Sequence, residues 1–409
     1  MRTLFLVCKP IYPPTGGASL RNWQNINAAA SLGPVGVFGV LPESSSGTQG
    51  DVVERQALFP RPGLPNGHVL FRKVRSLGRY VHPRRHPRAN QYYSSTLEDR
   101  LRETIEDFQP DLVIFEELWL YRYLPSVRST GCPVIFDAHN VEATLRTDMQ
   151  QASSGRGGWG SRLNAWSVRN IERALVRQSE QVWACSTKDA QEIETLYSPS
   201  PDVEVAPNTL DASSYSGVRE GRGGDGEAPI LLFIGAFGYP PNRRAAHHLL
   251  DEIFPRVQRQ HPNVRLRLVG GSPSEHMREW GAEQAITVTG FVDDIRSHLA
   301  ASDIAVIPLM EGSGTRLKII EAFASKLPVV STPKGVEGLE VEHGIHALIA
   351  EVPDGIASHV SRLIEQPTLR SEMAEEAYEL MKQSYSWQSV QGTITGAMQT
   401  CVYRHNSQG

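Results

Sequence analysis

Short apolar runs alternate with helix-patterned segments along this chain, and they do so in two successive series. The first series of apolar runs covers residues 4–7, 35–40, 112–115, 134–136 and 182–185. The second covers 230–234, 264–269, 286–288, 304–309, 329–330 and 347–349. Apolar-rich strands separated by helices imply βαβ units and parallel sheets. Two such series in 409 residues predict an α/β protein of two doubly wound, Rossmann-like domains facing a cleft. Helices are predicted over 19–32 and 163–178, the latter burying Leu163, Trp166, Ile171, Leu175 and Val176. Between the series, residues 213–227 are polar and glycine-rich and read as a linker or exposed loop. The expected layout is an N-terminal domain over 1–210, a linker over 211–228, a second domain over 229–385, and a closing helix over 386–409 that crosses back to the first domain. A second glycine-rich stretch, 153–160, reads as a loop within the first domain.

Ligands of open parallel sheets bind beyond the carboxyl ends of the strands. One such end carries Gly312-Ser-Gly-Thr-Arg-Leu-Lys-Ile-Ile-Glu321, which follows the run 304–309 and leads into a predicted helix. A glycine-rich turn there lets backbone N–H groups approach an anion at a helix N-terminus. Arg316 and Lys318 oppose the helix macrodipole at that position, which calls for a compensating anion. Glu321 lies one turn further on, where a carboxylate can hold a pair of hydroxyls. A diphosphate with its ribose suits this arrangement, and solvated residues at the start of a helix are the plainer alternative. Gly16 and Gly17 follow the first strand in a comparable place and suit either a diphosphate, an acceptor or a tight turn.

The composition narrows the class. A net charge of −4 gives no global field toward nucleic acid. The first residues read as a strand rather than a secretory leader, and no run approaches the ~18 apolar residues of a membrane span. The scattered Cys8, Cys132, Cys185 and Cys401 read as small buried hydrophobes of a reducing, cytoplasmic setting, without a disulfide framework or zinc site. The basic stretch from Arg72 to Arg88, interleaved with Tyr80, His82 and His86, reads as a solvated face or as a contact for an anionic membrane surface or anionic acceptor. Nucleic acid ranks behind these, because the rest of the chain is not basic.

The chain resembles the retaining glycosyltransferases of the GT-B fold, specifically the group 1 set also called family 4. The pieces that carry the resemblance stand in a consistent order: Gly16-Gly17, Phe136-Asp-Ala-His-Asn-Val-Glu142, Cys185-Ser186, Pro207-Asn208, Phe233-Ile-Gly-Ala-Phe-Gly-Tyr-Pro-Pro-Asn242, Leu268-Val-Gly-Gly271, Val288-Thr-Gly-Phe-Val-Asp293, Ala301-Ser-Asp303, residues 312–321 and Pro328-Val-Val-Ser-Thr332. The resemblance implies transfer of a hexose from a UDP- or GDP-linked sugar, with retention, to a carbohydrate, lipid-linked or protein acceptor, and no cofactor beyond the donor. It implies that Glu321 binds the ribose hydroxyls and that Gly290, Phe291 and Val292 lie against the nucleobase. It further implies that Gly16 and Gly17, with the backbone of Ser313, Gly314 and Thr315, approach the donor, and that His139 acts near the donor sugar.

Two departures from the family pattern stand out. Ser313 occupies the place of the first of the family's two glutamates, Glu311 being two residues earlier. Ala236 follows Gly235 where the family has an arginine, and Tyr239-Pro-Pro-Asn242 occupies the region of its lysine. Arg316 and Lys318 are then the cations left to neutralise the leaving diphosphate. Breaking a sugar–phosphate bond builds negative charge there, which fixed cations stabilise. With no Asp-x-Asp in the chain, a metal-independent reaction is expected; Asp293-Asp294 reads as a helix start. Glu116 and Glu117 read as acceptor contacts or as a solvated pair. A catalytically inactive GT-B scaffold and a GT-B nucleotide-sugar epimerase are the alternatives, whereas a dinucleotide dehydrogenase is disfavoured because no Gly-x-Gly-x-x-Gly follows the first strand.

Overall fold

The apolar runs become strands of two sheets. A computed structural model describes residues 1–12, 16–42, 52–62, 86–152, 159–218, 228–312 and 316–408. It divides into one unit of Met1–Asn208 with Val390–Gly409 and another of Thr209–Ser389.

The first unit contains β1 (Thr3–Val7), β2 (Val35–Leu41), β3 (Arg55–Pro60), β4 (Leu112–Phe115), β5 (Val134–Ala138), β6 (Gln181–Ala184) and β7 (Asp202–Val205). They form one parallel sheet in the order β3-β2-β1-β4-β5-β6-β7. Every residue of β1, β2, β4, β5 and β6 is buried, as strands covered on both faces require. The edge strands β3 and β7 are partly exposed; β7 alternates polar and apolar residues, and β3 holds only the short run Ala57-Leu58-Phe59, which sequence reading passed over. The helices that matter below are α1 (Gly17–Ala30), α2 (Ser95–Phe108), α3 (Glu142–Ala152), α4 (Trp159–Gln178) and α5 (Thr187–Tyr197).

Helix α4 corrects one expectation. Its buried stripe is Val168, Ile171, Glu172, Leu175 and Val176, the spacing of one helical face, whereas Trp166 is 48% exposed. Residue 166 lies on the opposite side of the helix from that stripe, so its size did not place it in the core.

The second unit contains β8 (Ile230–Ile234), β9 (Arg265–Val269), β10 (Ile286–Val288), β11 (Ile304–Ile307), β12 (Val329–Ser331) and β13 (Leu348–Ile349), all parallel, in the order β10-β9-β8-β11-β12-β13. Its helices include α6 (Pro240–His248), α7 (Leu317–Ala324), α8 (Asp354–Glu365) and α9 (Pro367–Leu380). The closing helix α10 (Trp387–Gln408) belongs from Val390 onward to the first unit.

Thr209 and Leu210, expected at the end of the first domain, and the start of the expected linker belong to the second unit. Leu210 N–H donates to Tyr385 O (3.0 Å), Trp387 N–H donates to Leu210 O (2.9 Å), and Tyr215 and Val218 pack against the core. These apolar residues are too sparse in a polar stretch to signal burial by pattern. Residues 219–227 lie outside the described residues, as do 153–158 and the basic stretch up to residue 85.

Each sheet reverses its strand order once. In the first, β1 pairs with β2 on one side (Phe5 opposite Val37) and β4 on the other (Phe5 opposite Ile114). In the second, β8 lies between β9 (Leu232 opposite Arg267) and β11 (Leu232 opposite Ala305). At such a reversal the loops leaving the two central strands part to opposite faces and open a crevice. The segments after β1 and β4, and after β8 and β11, therefore define where each unit can bind a ligand.

Candidate active site

In the second unit the loop after β8 and the turn after β11 leave neighbouring strands, and two side chains join them. Lys318, one residue into α7, donates from Nζ to Asn242 Oδ1 of α6 at 2.8 Å and lies 4.6 Å from the centre of the Phe233 ring of β8. Arg316 stands at the N-cap of α7, is 8% exposed, and donates to Lys334 O at 3.4 Å. Its guanidinium folds over Gly312, whose φ of 109° only glycine adopts easily; a Cβ there would stand 3.2 Å from the Arg316 guanidinium and 3.6 Å from the Tyr239 hydroxyl. Glu321 follows on the same helix and accepts from the Tyr215 hydroxyl at 3.5 Å. Residues 313–315 lie outside the described residues.

The charges here are held out of balance. Burial, with the Arg316 charge added, lowers Lys318 from the ordinary lysine value to about 7, against the pull of Glu321. Burial raises Glu321 to about 7 against the pull of Lys318. Two cations crowded at the N-terminus of one helix, where the macrodipole is also positive, make a site that an anion would relieve. Glu311 is buried and ion-paired with Arg244 of α6. Arg244 is thus a cation of the β8–α6 segment that sequence reading missed, and it is engaged with Glu311.

The residues after β10 lie at the same edge of the sheet, with β9 and β8 between them and β11. Gly290 has φ 80° and accepts from Gly270 N–H at 3.0 Å, while Phe291 is 70% exposed. Gly270 permits a close crossing of loops, since a Cβ on it would stand 1.9 Å from Gly235 O. Asp294 accepts from Arg296 N–H at 2.9 Å, at the start of the short helix Arg296–Ala300, as the helix-start reading expected.

In the first unit the ends of β4 and β5 hold a buried polar cluster. Glu116 and Glu117 are 0% and 6% exposed, which removes the solvated-pair reading. Helix α1 buries several polar side chains beside Ile26, Ala28 and Ala29, and two of them, Arg21 and Asn25, meet this cluster. Arg21 donates from Nε to Asp137 Oδ2 (2.7 Å), ion-pairs through its other nitrogen with Asp137 Oδ1, and donates to Ala206 O (2.6 Å) and Asn208 Oδ1 (3.0 Å). Asn25 donates to Asp137 Oδ2 (2.8 Å) and Glu116 Oε1 (3.1 Å). His139 Nε2 lies 3.1 Å from Glu116 Oε2 and 3.2 Å from Asp137 Oδ2. Lys9 Nζ, at the end of β1, is 2.9 Å from Glu117 Oε1, and the Cys8 thiol donates to Glu117 Oε2 at 2.7 Å. Gly16 caps α1 with φ 89°, and Gly17 opens that helix.

Burial would lower the His139 pKa, but the hydrogen bond and charge of Asp137, with Glu116 and Glu117 behind them, hold it at about 9. Asp137 is buried yet held well below the usual carboxylate range, chiefly by Arg21 and then by His139. Glu116 is pushed up by burial and by the Asp137 charge. The carboxylates therefore favour the imidazolium form of His139. Glu116, Asp137 and His139 also bring three ligand-type atoms within 4.8 Å of one another. Arg21 and Asn25 already occupy the carboxylate oxygens, and a guanidinium supplies the countercharge, so the donor set reads as a hydrogen-bonded network rather than a cation cage.

Residues 40–209 match the family model of the glycosyl transferase 4-like domain, and residues 228–366 match that of the glycosyl transferases of group 1. The chain is built from group 1 and 4-like glycosyltransferase domains.

Among curated relatives, glycogen synthase of Mycobacterium tuberculosis is 26% identical over 303 residues, which is 70% of this chain and 68% of that protein. N-acetyl-alpha-D-glucosaminyl L-malate synthase of Bacillus anthracis is 24% identical over 231 residues, 54% of this chain and 59% of that protein. Among solved structures, sucrose-phosphate synthase of Thermosynechococcus elongatus superposes with a TM-score of 0.73 at 16% identity, covering 100% of both chains. Anabaena HepE in complex with UDP-glucose superposes with a TM-score of 0.65 at 16% identity, covering 98% of this chain and 100% of that one. These likenesses establish the fold as two parallel-sheet α/β domains of the GT-B class.

Within these glycosyltransferase domains the structure brings Arg316, Lys318 and Glu321 together on α7, and His139 together with Asp137 and Glu116 on the first sheet. Sequence reading missed Asn242 and Tyr215 in the second unit and Arg21, Asn25 and Glu172 in the first. Arg21, Asn22, Gln24 and Asn25 within one helix were a usable signal, because four polar residues on the face that packs against an apolar sheet need partners there.

Proposed function

We propose that the protein moves a hexose from a nucleoside-diphosphate sugar to an acceptor, with retention at the anomeric carbon and without a metal ion. The observation that carries this reading is the pairing of Arg316 and Lys318 at the start of α7, beyond β11 at the strand-order reversal. The diphosphate accepts from both cations as the sugar–phosphate bond breaks, and Glu321 accepts from the ribose hydroxyls. Gly290, Phe291 and Val292 flank the base, and the backbone of Gly16, Gly17, Ser313, Gly314 and Thr315 serves the donor. His139, an imidazolium held by Asp137, donates a hydrogen bond to the donor sugar. The group 1 domains and the named activities of the relatives support the same class. The acceptor is a carbohydrate, lipid-linked or protein group. Anionic surfaces can engage the stretch from Arg72 to Arg88, of which only residues 86–88 are described. No described helix is long and apolar enough to cross a membrane.

The test is calorimetry with UDP and GDP, followed by release of free nucleotide from candidate sugar donors. Micromolar binding of one nucleotide and its release only when acceptor is present support transfer. Binding of neither, or release independent of acceptor, rejects it in favour of a scaffold or an epimerase. The anomeric configuration of the product, read by proton NMR, checks retention, and full activity in EDTA is expected.

The Lys318 environment gives a pH dependence. A bound diphosphate stabilises the ammonium and so raises its pKa above about 7. Binding then takes up a proton wherever the free lysine is neutral, so affinity is greatest below the free value and is lost as pH rises. Above about pH 8, where Glu321 is fully ionised, UDP affinity should fall by up to about tenfold per pH unit. Lys318→Arg, which stays charged, should flatten the profile.

A further inference from the structure

The loop that carries His139 joins β5 to α3 through His139, Asn140 and Val141. A helix that starts there needs partners for its first backbone N–H groups. The residue before it, Val141, is 1% exposed and has no side-chain oxygen to offer. The partner comes from α4 instead. Glu172 Oε1 accepts from Glu142 N–H at 2.8 Å, and Oε2 accepts from Ala143 N–H at 3.0 Å and from the Tyr197 hydroxyl, at the end of α5, at 2.5 Å. On the other side of the loop the Cys185 thiol donates to His139 O at 3.4 Å.

Glu172 is 1% exposed, and burial pushes its pKa up to about 7 despite its three donors. Taking a carboxylate so far from water is expensive, and an apolar residue at this position of the α4 stripe would pack without that penalty. The carboxylate does what an apolar residue cannot: it ties the first turn of α3 to α4 instead of leaving it to its own loop.

We infer that Glu172 is a positioning residue for His139, clamping the first two amides of α3 and thereby fixing the loop path that aims the imidazole. The clamp holds the start of α3, the Cys185 thiol holds the His139 carbonyl, and between them the ring stays against Asp137 and Glu116. Its catalytic consequence rests on the reading of His139 as a group that acts on the donor sugar; the clamp itself does not.

Full-length Glu172→Gln tests this by amide hydrogen exchange, with Glu172→Asp as a second variant that shortens the side chain should the first fail to fold. Gln turns N–H groups toward amides that need an acceptor. Exchange at residues 142–145 should rise by about tenfold or more while β1 and β4 keep their protection, because the loss is local. In the same variant kcat for transfer should fall by about 10²-fold with the donor KM nearly unchanged, as misplacement of an acting group does. Glu172→Asp should show the same pattern at smaller amplitude. Unchanged exchange at 142–145, a rise spread evenly over the core, or local loosening with wild-type kcat and unchanged ring NMR signals of His139 would each overturn the inference. Should the wild-type protein transfer no sugar, the proposed function fails. The ring NMR signals of His139 then decide the clamp: a changed environment in Glu172→Gln supports it, and identical signals reject it.

Discussion

Lys318→Met should lower transfer by about 10³-fold, the scale of losing one fixed cation at a developing charge, while leaving the protein at least as stable at pH 7. Methionine keeps the length and the packing of the stem against Phe233 but removes the ammonium. Most core substitutions couple loss of function to loss of stability. This one separates them, because burial and Arg316 lower the Lys318 pKa, so the folded protein without ligand disfavours the charge. The sign follows from linkage. The penalty is fully present below about pH 7, where the lysine is charged both folded and unfolded, and fades as the pH rises toward the ordinary lysine value. Urea denaturation at pH 6 and pH 9 should therefore show the variant ahead at the lower pH and the gap closing at the higher. Arg316→Ala should impair transfer similarly. Wild-type turnover in both variants would remove the basis for the diphosphate site.

Asp137→Ala should destabilise the first unit by about 3–5 kcal/mol, the usual consequence of stranding a buried charge. Arg21 is 1% exposed, and the carboxylate of Asp137 is its countercharge. Removing it leaves a guanidinium with only Ala206 O and Asn208 Oδ1, and takes one of the two carboxylates from His139, which keeps Glu116. Arg21→Met combined with Asp137→Leu should recover most of the lost stability, since neither charge then remains buried, but should not recover transfer. Because Asp137 is held below the usual range, its stabilising effect is fully present above the ordinary aspartate value of about 4 and is lost as pH falls further. Chemical denaturation of the single and double variants at pH 7 measures both effects. A single variant as stable as wild type would mean that the pair does not anchor the first unit.

Much of the site was legible because its chemistry is local. Arg316, Lys318 and Glu321 lie within two turns of one helix, and the apolar run before them marked the strand. His139 was legible through its place after β5. What escaped reading is contributed across the chain. Asn242 meets Lys318 from the β8 side, Arg244 takes up Glu311, and Arg21 and Asn25 reach Asp137 from α1. No spacing rule connects such pairs, since their proximity is created only when β8 pairs with β11 and β1 with β4.

The amino-acid sequence alone determined the class of fold. Continuous apolar strands can bury both faces only in parallel sheets flanked by helices, and that demand is visible wherever such a run occurs. It also determined the presence of two cations at the head of α7. The tertiary structure decided the partly exposed edge strands β3 and β7, the outward turn of Trp166, the burial of Glu116 and Glu117, and the capture of α3 by Glu172. Each of these depends on what lies opposite a residue in space, and a hydrophobic pattern records only a residue's own affinity for water.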